Sequence, residues 1–320
     1  MILTPEVLTI LILDVMFAFF SIIAFVLSIK IFLHWNIRSV SQTQYQLEKQ
    51  SFLTATIIKY IFIIKVPLFL FFIFTLDKIS HLLTGAMCAA GVVDATPYGT
   101  YLFILKIINL YLFAYWLVLH HQDMKYENQP YTKLKFGIFI IAFFFFITEL
   151  IVEWIMFASI KVDKMVSCCG TLYSSSASSA ISSIFSIDTT TLLSLFYGNF
   201  LLIVLFYFLK KKHLFALSNL LFIIISLVSL IVFFGTYIYQ LPTHHCPFCF
   251  LQSDYYYVGY LIYTLLFLGT FYGIVTGFIT ESREDTIKNY KISMIFNSFY
   301  VILLSLYPLV FYIKNGVWLE

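Results

Sequence analysis

Long apolar stretches separated by short polar segments make up almost the whole chain. A helix needs about 20 mostly apolar residues to cross a hydrocarbon core of roughly 30 Å, and the chain has about eight such stretches. The short alternating segments of a membrane β-barrel are missing. The pattern therefore predicts an all-α, polytopic integral membrane helical bundle that forms a single transmembrane domain over residues 1–320. The predicted spans are Val7–Leu33, Leu53–Leu76, Tyr101–Leu119, Phe136–Ile160, Leu192–Leu209, Leu214–Tyr239, Tyr255–Thr280 and Met294–Ile313.

The composition indicates that the chain is embedded in a lipid bilayer. Hydrophobic residues make up 61% of the chain, aromatic residues 20% and charged residues only 11%. A water-soluble domain cannot bury that much apolar surface, so the lipid bilayer is expected to be part of the solvent. The formal net charge of +3 follows from the membrane topology and indicates no nucleic-acid partner.

Basic residues are concentrated in every second connection between spans. Because such residues are retained on the cytoplasmic side during insertion, these connections are predicted to be cytoplasmic and both termini external. Segments 77–100, 161–191 and 240–254 are then external. We expect a bacterial cytoplasmic (inner) membrane, in which the external side is the periplasm. The basic residues of the cytoplasmic set are Lys30, Arg38, Lys49, Lys125, Lys133, Lys135, Lys210, Lys211, Lys212, Arg283, Lys288 and Lys291.

All the cysteines of the chain fall in these three external connections: Cys88, Cys168, Cys169, Cys246 and Cys249. The periplasm is oxidising, so disulfides persist there. The simplest interpretation is a structural subunit or permease whose connections are tied together by one or two disulfides. Pairing the cysteines leaves one over.

Cys246 and Cys249 have the spacing of a redox-active dithiol. A C-x-x-C pair closes a small ring, and a nearby positive charge or helix N-terminus stabilises its first thiolate. His244 and His245 precede the pair, and a helix is expected to begin near Tyr255. The motif therefore indicates a thiol-disulfide oxidoreductase.

Disulfide exchange in a membrane enzyme requires a second thiol pair that passes through a mixed disulfide with the first. Cys168 and Cys169 are candidates, and the polar run 174–179 that follows them is typical of a flexible tether. In this mechanism Cys246 attacks a disulfide at Cys168 or Cys169, and Cys249 resolves the intermediate. A periplasmic thiol protein is the expected partner. Cys88 has no role in the scheme.

In these motifs the chain resembles the membrane thiol oxidases of the DsbB and vitamin K epoxide reductase type. The likeness covers Cys246-Pro247-Phe248-Cys249 and the external connection with Cys168 and Cys169. It implies that electrons pass from the cysteines to a membrane quinone as cofactor. Those families have smaller bundles, and this chain has no arginine in the outer half to receive a quinone, so no quinone-binding residue is assigned.

The same connections also offer ligands for a metal ion. Thiolate, thioether and imidazole groups suit Cu(I), Zn(II) or an iron-sulfur centre. The alternative prediction is therefore a periplasmic-face protein that binds or transports copper or another soft metal, with a metal-carrier protein as partner. The candidate ligands are Met87, Cys88, Cys168, Cys169, His244, His245, Cys246 and Cys249.

Five ionisable residues lie inside the first four spans: Asp14, Lys65, Lys106, Glu149 and Glu153. A charge inside the bilayer costs several kcal/mol unless it finds a partner or water. Glu149 and Glu153 are one helical turn apart and share a face, so Lys65 or Lys106 is expected to neutralise them. The cluster either fixes the register of the helices or relays protons or ions.

The seventh span carries Gly269, Gly273 and Gly277 at every fourth position. Small residues at this spacing allow a neighbouring helix to approach closely. We expect this stripe to serve packing.

Overall fold

The structure is a computed structural model that describes residues 2–36, 41–161, 165–166, 188–279 and 283–319. Every regular element within these ranges is helical. The helices are α1 (Pro5–His34), α2 (Gln42–Ser80), α3 (Ala89–Asp94), α4 (Gly99–Asp123), α5 (Thr132–Ser159), α6 (Thr189–Leu209), α7 (Lys212–Ser229), α8 (Gly235–Tyr239), α9 (Val258–Phe278) and α10 (Arg283–Asn315). A π-helical turn, Leu230–Phe234, joins α7 to α8, and two 3₁₀ turns, Cys249–Leu251 and Ser253–Tyr255, precede α9.

Eight helices in the described ranges are long and apolar enough to cross a membrane. They are α1, α2, α4, α5, α6, the continuous segment Lys212–Tyr239, α9 and α10. The prediction of an all-α protein with eight apolar spans is therefore confirmed. The orientation of the termini stays a prediction.

Local sequence sets where several of these helices begin and end. Pro5 occupies the first turn of α1, where its missing N–H costs nothing. Asp188 caps α6 by accepting a hydrogen bond from Thr191 N at 3.1 Å. α9 begins at Val258 rather than near Tyr255, because Tyr256 and Tyr257 have positive φ angles that interrupt the helical path.

The chain divides into two compact units. The first unit comprises Met1–Thr84 and Val92–Lys164. In it α1 packs on α2 and α5, and α4 packs on the same two helices. Aromatic side chains fill the centre, where the Phe62 and Phe113 rings stack at 4.2 Å. The single-domain interpretation stays a prediction.

The second unit comprises Gly85–Gly91 and Met165–Glu320. Helix α9 packs on α7 and on α10, and α6 packs on α7. A Cβ atom on Gly269 would overlap Asn297 of α10, and one on Gly273 would overlap Asn219 of α7. The close helix approach predicted from the glycine stripe is therefore present, and buried asparagines occupy the space that the glycines leave.

Candidate functional site

Three cysteines of the second unit come together in a buried cluster. Cys88 precedes α3, and Cys246 and Cys249 lie between α8 and α9. The three sulfur atoms all lie within 4.8 Å of one another. The Sγ atoms of Cys88 and Cys246 are 3.5 Å apart, which is well beyond the roughly 2.05 Å of a disulfide bond. The exposed fractions are 0% for Cys88, 1% for Cys246 and 6% for Cys249.

Two tyrosine hydroxyl groups fix the backbone of the C-x-x-C segment. Tyr239, the last residue of α8, donates a hydrogen bond to the carbonyl oxygen of Cys246 and accepts one from Phe250 N at 3.1 Å. Tyr263 of α9 donates to the carbonyl oxygen of Pro247 at 2.7 Å. The positions of both cysteines are thus determined by the helices on either side and not by the segment alone.

The two cysteine-bearing segments are also joined by a side chain. Gln252 Nε2 donates a hydrogen bond to the carbonyl oxygen of Met87 at 3.0 Å. This bond holds the residue next to Cys88 beside the 3₁₀ turn that contains Cys249. Met87 itself is 66% exposed, in contrast to the three buried cysteines.

The two histidines before the cysteines make contacts of their own. Within the described ranges, the group of candidate metal-binding atoms at this place contains the three cysteines and no histidine. The His244 ring lies edge-on to the Tyr239 ring at 4.3 Å. His245 Nδ1 lies 3.1 Å from the carbonyl oxygen of Ile231 in the π-helical turn, and because a carbonyl only accepts, the ring nitrogen donates.

Burial lowers the pKa of His245, although its hydrogen bonds to backbone carbonyls act in the opposite direction. The imidazole is therefore neutral at neutral pH. A neutral ring supplies no positive charge to stabilise the Cys246 thiolate. The other expected support, a helix N-terminus, is also weak, since Cys249 opens a 3₁₀ turn and α9 begins only at Val258.

The structure brings together only part of the cysteine set predicted from the sequence. Cys168 and Cys169 lie outside the described residues. Cys88, which had no role in the thiol-exchange scheme, belongs to the cluster.

Three sulfur atoms at these separations are suited to two kinds of chemistry. Zn–S bonds of about 2.3 Å at tetrahedral angles hold sulfur atoms about 3.8 Å apart. In the cluster one separation is 3.5 Å and all are within 4.8 Å, so small side-chain movements would bring the three sulfur atoms around one ion. The 3.5 Å between Cys88 and Cys246 is also short enough for two thiols to form a disulfide with small side-chain movements.

The five ionisable residues of the first four spans form a second cluster, inside the first unit. Lys65 Nζ lies 2.8 Å from Asp14 Oδ1 and 3.1 Å from Glu149 Oε1. Lys106 Nζ lies 2.8 Å from Glu149 Oε1 and 2.8 Å from Glu153 Oε2. Four helices, α1, α2, α4 and α5, thus meet through one continuous network of ion pairs.

Asn109 of α4 also belongs to this network, although the sequence analysis did not predict it. Its amide nitrogen donates to Glu149 Oε2 and to the carbonyl oxygen of Phe145. A signal was present, because Asn109 is one turn from Lys106 and therefore shares its helix face. A cavity of ≈ 10 Å³ lies beside the network and is lined by Lys65, Lys106, Asn109, Glu149 and apolar side chains.

No protein-family model, no curated protein and no solved structure matches this chain.

Proposed function

We propose that this chain is a multi-pass protein of a bacterial cytoplasmic membrane that binds a soft metal ion, Cu(I) or Zn(II), through Cys88, Cys246 and Cys249. The cluster faces the periplasm, and a periplasmic metal carrier is the partner that delivers or receives the ion. The observation that carries the proposal is the convergence of three buried sulfur atoms, all within 4.8 Å of one another, from two separate segments of the chain.

The ligand type favours these two ions. Thiolates are soft ligands that select Cu(I) and Zn(II) over hard cations such as Mg²⁺ or Ca²⁺. Three thiolates complete a trigonal site for Cu(I), and they leave one position open in a tetrahedral site for Zn(II). An open or three-coordinate site suits a protein that passes its metal on.

Burial also favours metal binding over exchange with a protein disulfide. A reactive cysteine is partly exposed and lies in an electropositive environment. Cys246, the expected attacking thiol, is 1% exposed. A small ion enters such a site through modest opening of the loop, whereas a partner protein needs direct access to sulfur.

The test is metal analysis of protein purified in mild detergent without chelators. We expect about one copper or zinc ion per chain after loading with either ion. The binding free energy of a structural zinc site is about 10–16 kcal/mol and comes from about four ligands, so one ligand contributes about 3 kcal/mol. Cys88→Ser, Cys246→Ser and Cys249→Ser are therefore each expected to weaken binding by at least about 100-fold.

Met87→Leu is the matched control, since it removes a thioether next to Cys88 whose side chain is exposed. This variant is expected to bind metal as the unchanged protein does. Folded protein that takes up neither Cu(I) nor Zn(II) would contradict the proposal. Equal loss of binding in Met87→Leu and in the cysteine variants would contradict the assignment of the three ligands.

Thiol-disulfide exchange is the second candidate, and the 3.5 Å separation of the Cys88 and Cys246 sulfur atoms favours it. Two thiols that form a disulfide release two electrons and two protons, and a membrane quinone that accepts both becomes a quinol. In that case mass spectrometry of metal-free protein treated with a soluble quinone is expected to show a Cys88–Cys246 or Cys246–Cys249 disulfide that mild reductant reverses. Thiols that stay reduced with the quinone, while the protein remains folded, would rule this function out.

A further inference from the structure

We propose that the buried network of Asp14, Lys65, Lys106, Glu149 and Glu153 is a proton-binding site that holds one proton on the Asp14 and Glu153 carboxyl groups. The inference concerns the first unit and does not depend on the function of the cysteine cluster. A proton held reversibly inside a membrane-spanning bundle is the coupling ion that a proton-driven process needs.

The argument begins with the charges. The network contains three carboxyl groups and two lysine ammonium groups, and each of the five residues is at most 6% exposed. If all are ionised, the site carries one net negative charge. An uncompensated buried charge costs on the order of tens of kcal/mol in an idealised apolar medium, so a buried group takes up a proton instead. One bound proton makes this site neutral.

The hydrogen bonds show which carboxyl group stays ionised. Glu149 Oε1 accepts from both lysines, and its Oε2 accepts from Asn109. Three donors, two of them charged, stabilise the carboxylate form of Glu149. Its oxygen atoms have little capacity left for a proton.

Asp14 and Glu153 each use only one oxygen. Lys65 donates to Asp14 Oδ1, and Lys106 donates to Glu153 Oε2. The other oxygen atoms, Asp14 Oδ2 and Glu153 Oε1, are buried and have no hydrogen-bond partner in the described part of the chain. A protonated carboxyl group fits this pattern, because one oxygen accepts from the lysine and the other carries the proton.

The network also contains a buried acceptor that is not used within it. Asn109 is 1% exposed, and its Oδ1 has no hydrogen-bond partner among the described residues, although its amide nitrogen bonds to Glu149. Asn109 lines the ≈ 10 Å³ cavity together with both lysines, and a volume of about 10–15 Å³ accommodates one water molecule. Two buried carboxyl oxygen atoms and one buried amide oxygen of the network thus have no donor, as expected of a site that is one proton short.

Infrared spectroscopy of the full chain in lipid nanodiscs tests the proposal. At neutral pH we expect the C=O stretching band of a protonated carboxylic acid, with a shift on transfer to D₂O. Asp14→Asn, Glu149→Gln and Glu153→Gln each leave equal numbers of carboxylates and ammonium groups, so each is expected to abolish the band. Asp188→Asn, which changes an exposed carboxyl group at the cap of α6, is the control and leaves the band in place.

A lysine variant distinguishes loss of the proton site from misfolding of the protein. Lys106→Met removes one positive charge, so two protons are then needed and the band is expected to roughly double. Unfolding cannot mimic this increase, because exposed carboxyl groups are ionised at neutral pH. The proposal fails if the unchanged protein shows no such band or if the band persists in all three carboxyl variants. Stoichiometric sodium or potassium in place of the band would show that a metal cation neutralises the network, and it would also overturn the proposal.

Discussion

Replacing Asp123 by Ala is expected to lower the free energy of unfolding by about 3–5 kcal/mol, the usual cost of breaking a buried ion pair. Asp123 is the last residue of α4, and its carboxylate binds the beginning of α5. Its Oδ2 accepts from Lys135 Nζ at 2.6 Å and from Thr132 Oγ1 at 2.9 Å, and its Oδ1 accepts from Tyr131 N at 2.7 Å. The substitution leaves these donors without their acceptor. Reversible unfolding by SDS in mixed micelles measures the loss.

Two further variants separate the ion pair from general damage. Lys133→Met removes an exposed lysine two residues from Lys135 and is expected to change the unfolding free energy by less than about 0.5 kcal/mol. The double variant Asp123→Ala/Lys135→Met removes both charges, so it is expected to be more stable than Asp123→Ala alone. A single variant as stable as the unchanged protein would show that the pair contributes nothing to stability.

The Asp123–Lys135 pair also shows where prediction of the spans from hydropathy fails. Each of the eight apolar stretches contains a long helix in the described ranges, because a run of about 20 apolar residues has no other way to satisfy its backbone in lipid. The ends of the helices are not marked by hydropathy. α5 begins at Thr132 and not at Phe136, and Lys135 is therefore a buried residue of the helix, although the sequence suggested a basic residue of a connection.

The buried charge network was largely predictable, because lipid penalises unpaired charges as it penalises unpaired backbone groups. Charged residues in apolar spans are costly, so they are conspicuous in the sequence and are expected to find each other. The spacing of Glu149 and Glu153 placed both on one face of a helix, and the structure has Lys106 between them. Asn109 was missed because a neutral amide in a span is a weaker signal than a charge.

The cysteine cluster was predictable only in part. The sequence predicted that all the cysteines lie in connections on one side, but no pattern in a connection reveals which segments meet. The approach of Cys88 to Cys246 depends on contacts far apart in the chain, such as the bond from Gln252 to Met87. The π-helical turn Leu230–Phe234, whose Ile231 carbonyl binds His245, also has no hydropathy signature.

In the second unit, a buried side-chain amide packs closely against the glycine face of α9. Asn219 of α7 is fully buried, and its Nδ2 donates to the carbonyl oxygen of Phe215 at 2.8 Å. Its Oδ1 accepts from Asn297 Nδ2 of α10 at 2.8 Å. These bonds connect α7 to α10 across the glycine face of α9, where Gly273 lies against the amide.

Gly273→Ala is therefore expected to lower the free energy of unfolding by about 2–4 kcal/mol. Overpacking costs about 1–3 kcal/mol, and each interhelical hydrogen bond lost in a membrane protein costs about 0.6 kcal/mol more. Gly198→Ala in α6 is the matched control, because its Cβ would have no neighbour within 4 Å in the described structure, and stability should stay unchanged or rise slightly. Adding Asn219→Ala to Gly273→Ala removes the overlapping amide, so the double variant should lose less than the sum of the two single losses. The test is SDS unfolding of Gly273→Ala, Gly198→Ala, Asn219→Ala and the double variant. Equal losses at Gly198 and Gly273 would mean that the loss comes from replacing any helical glycine and not from the contact with Asn219.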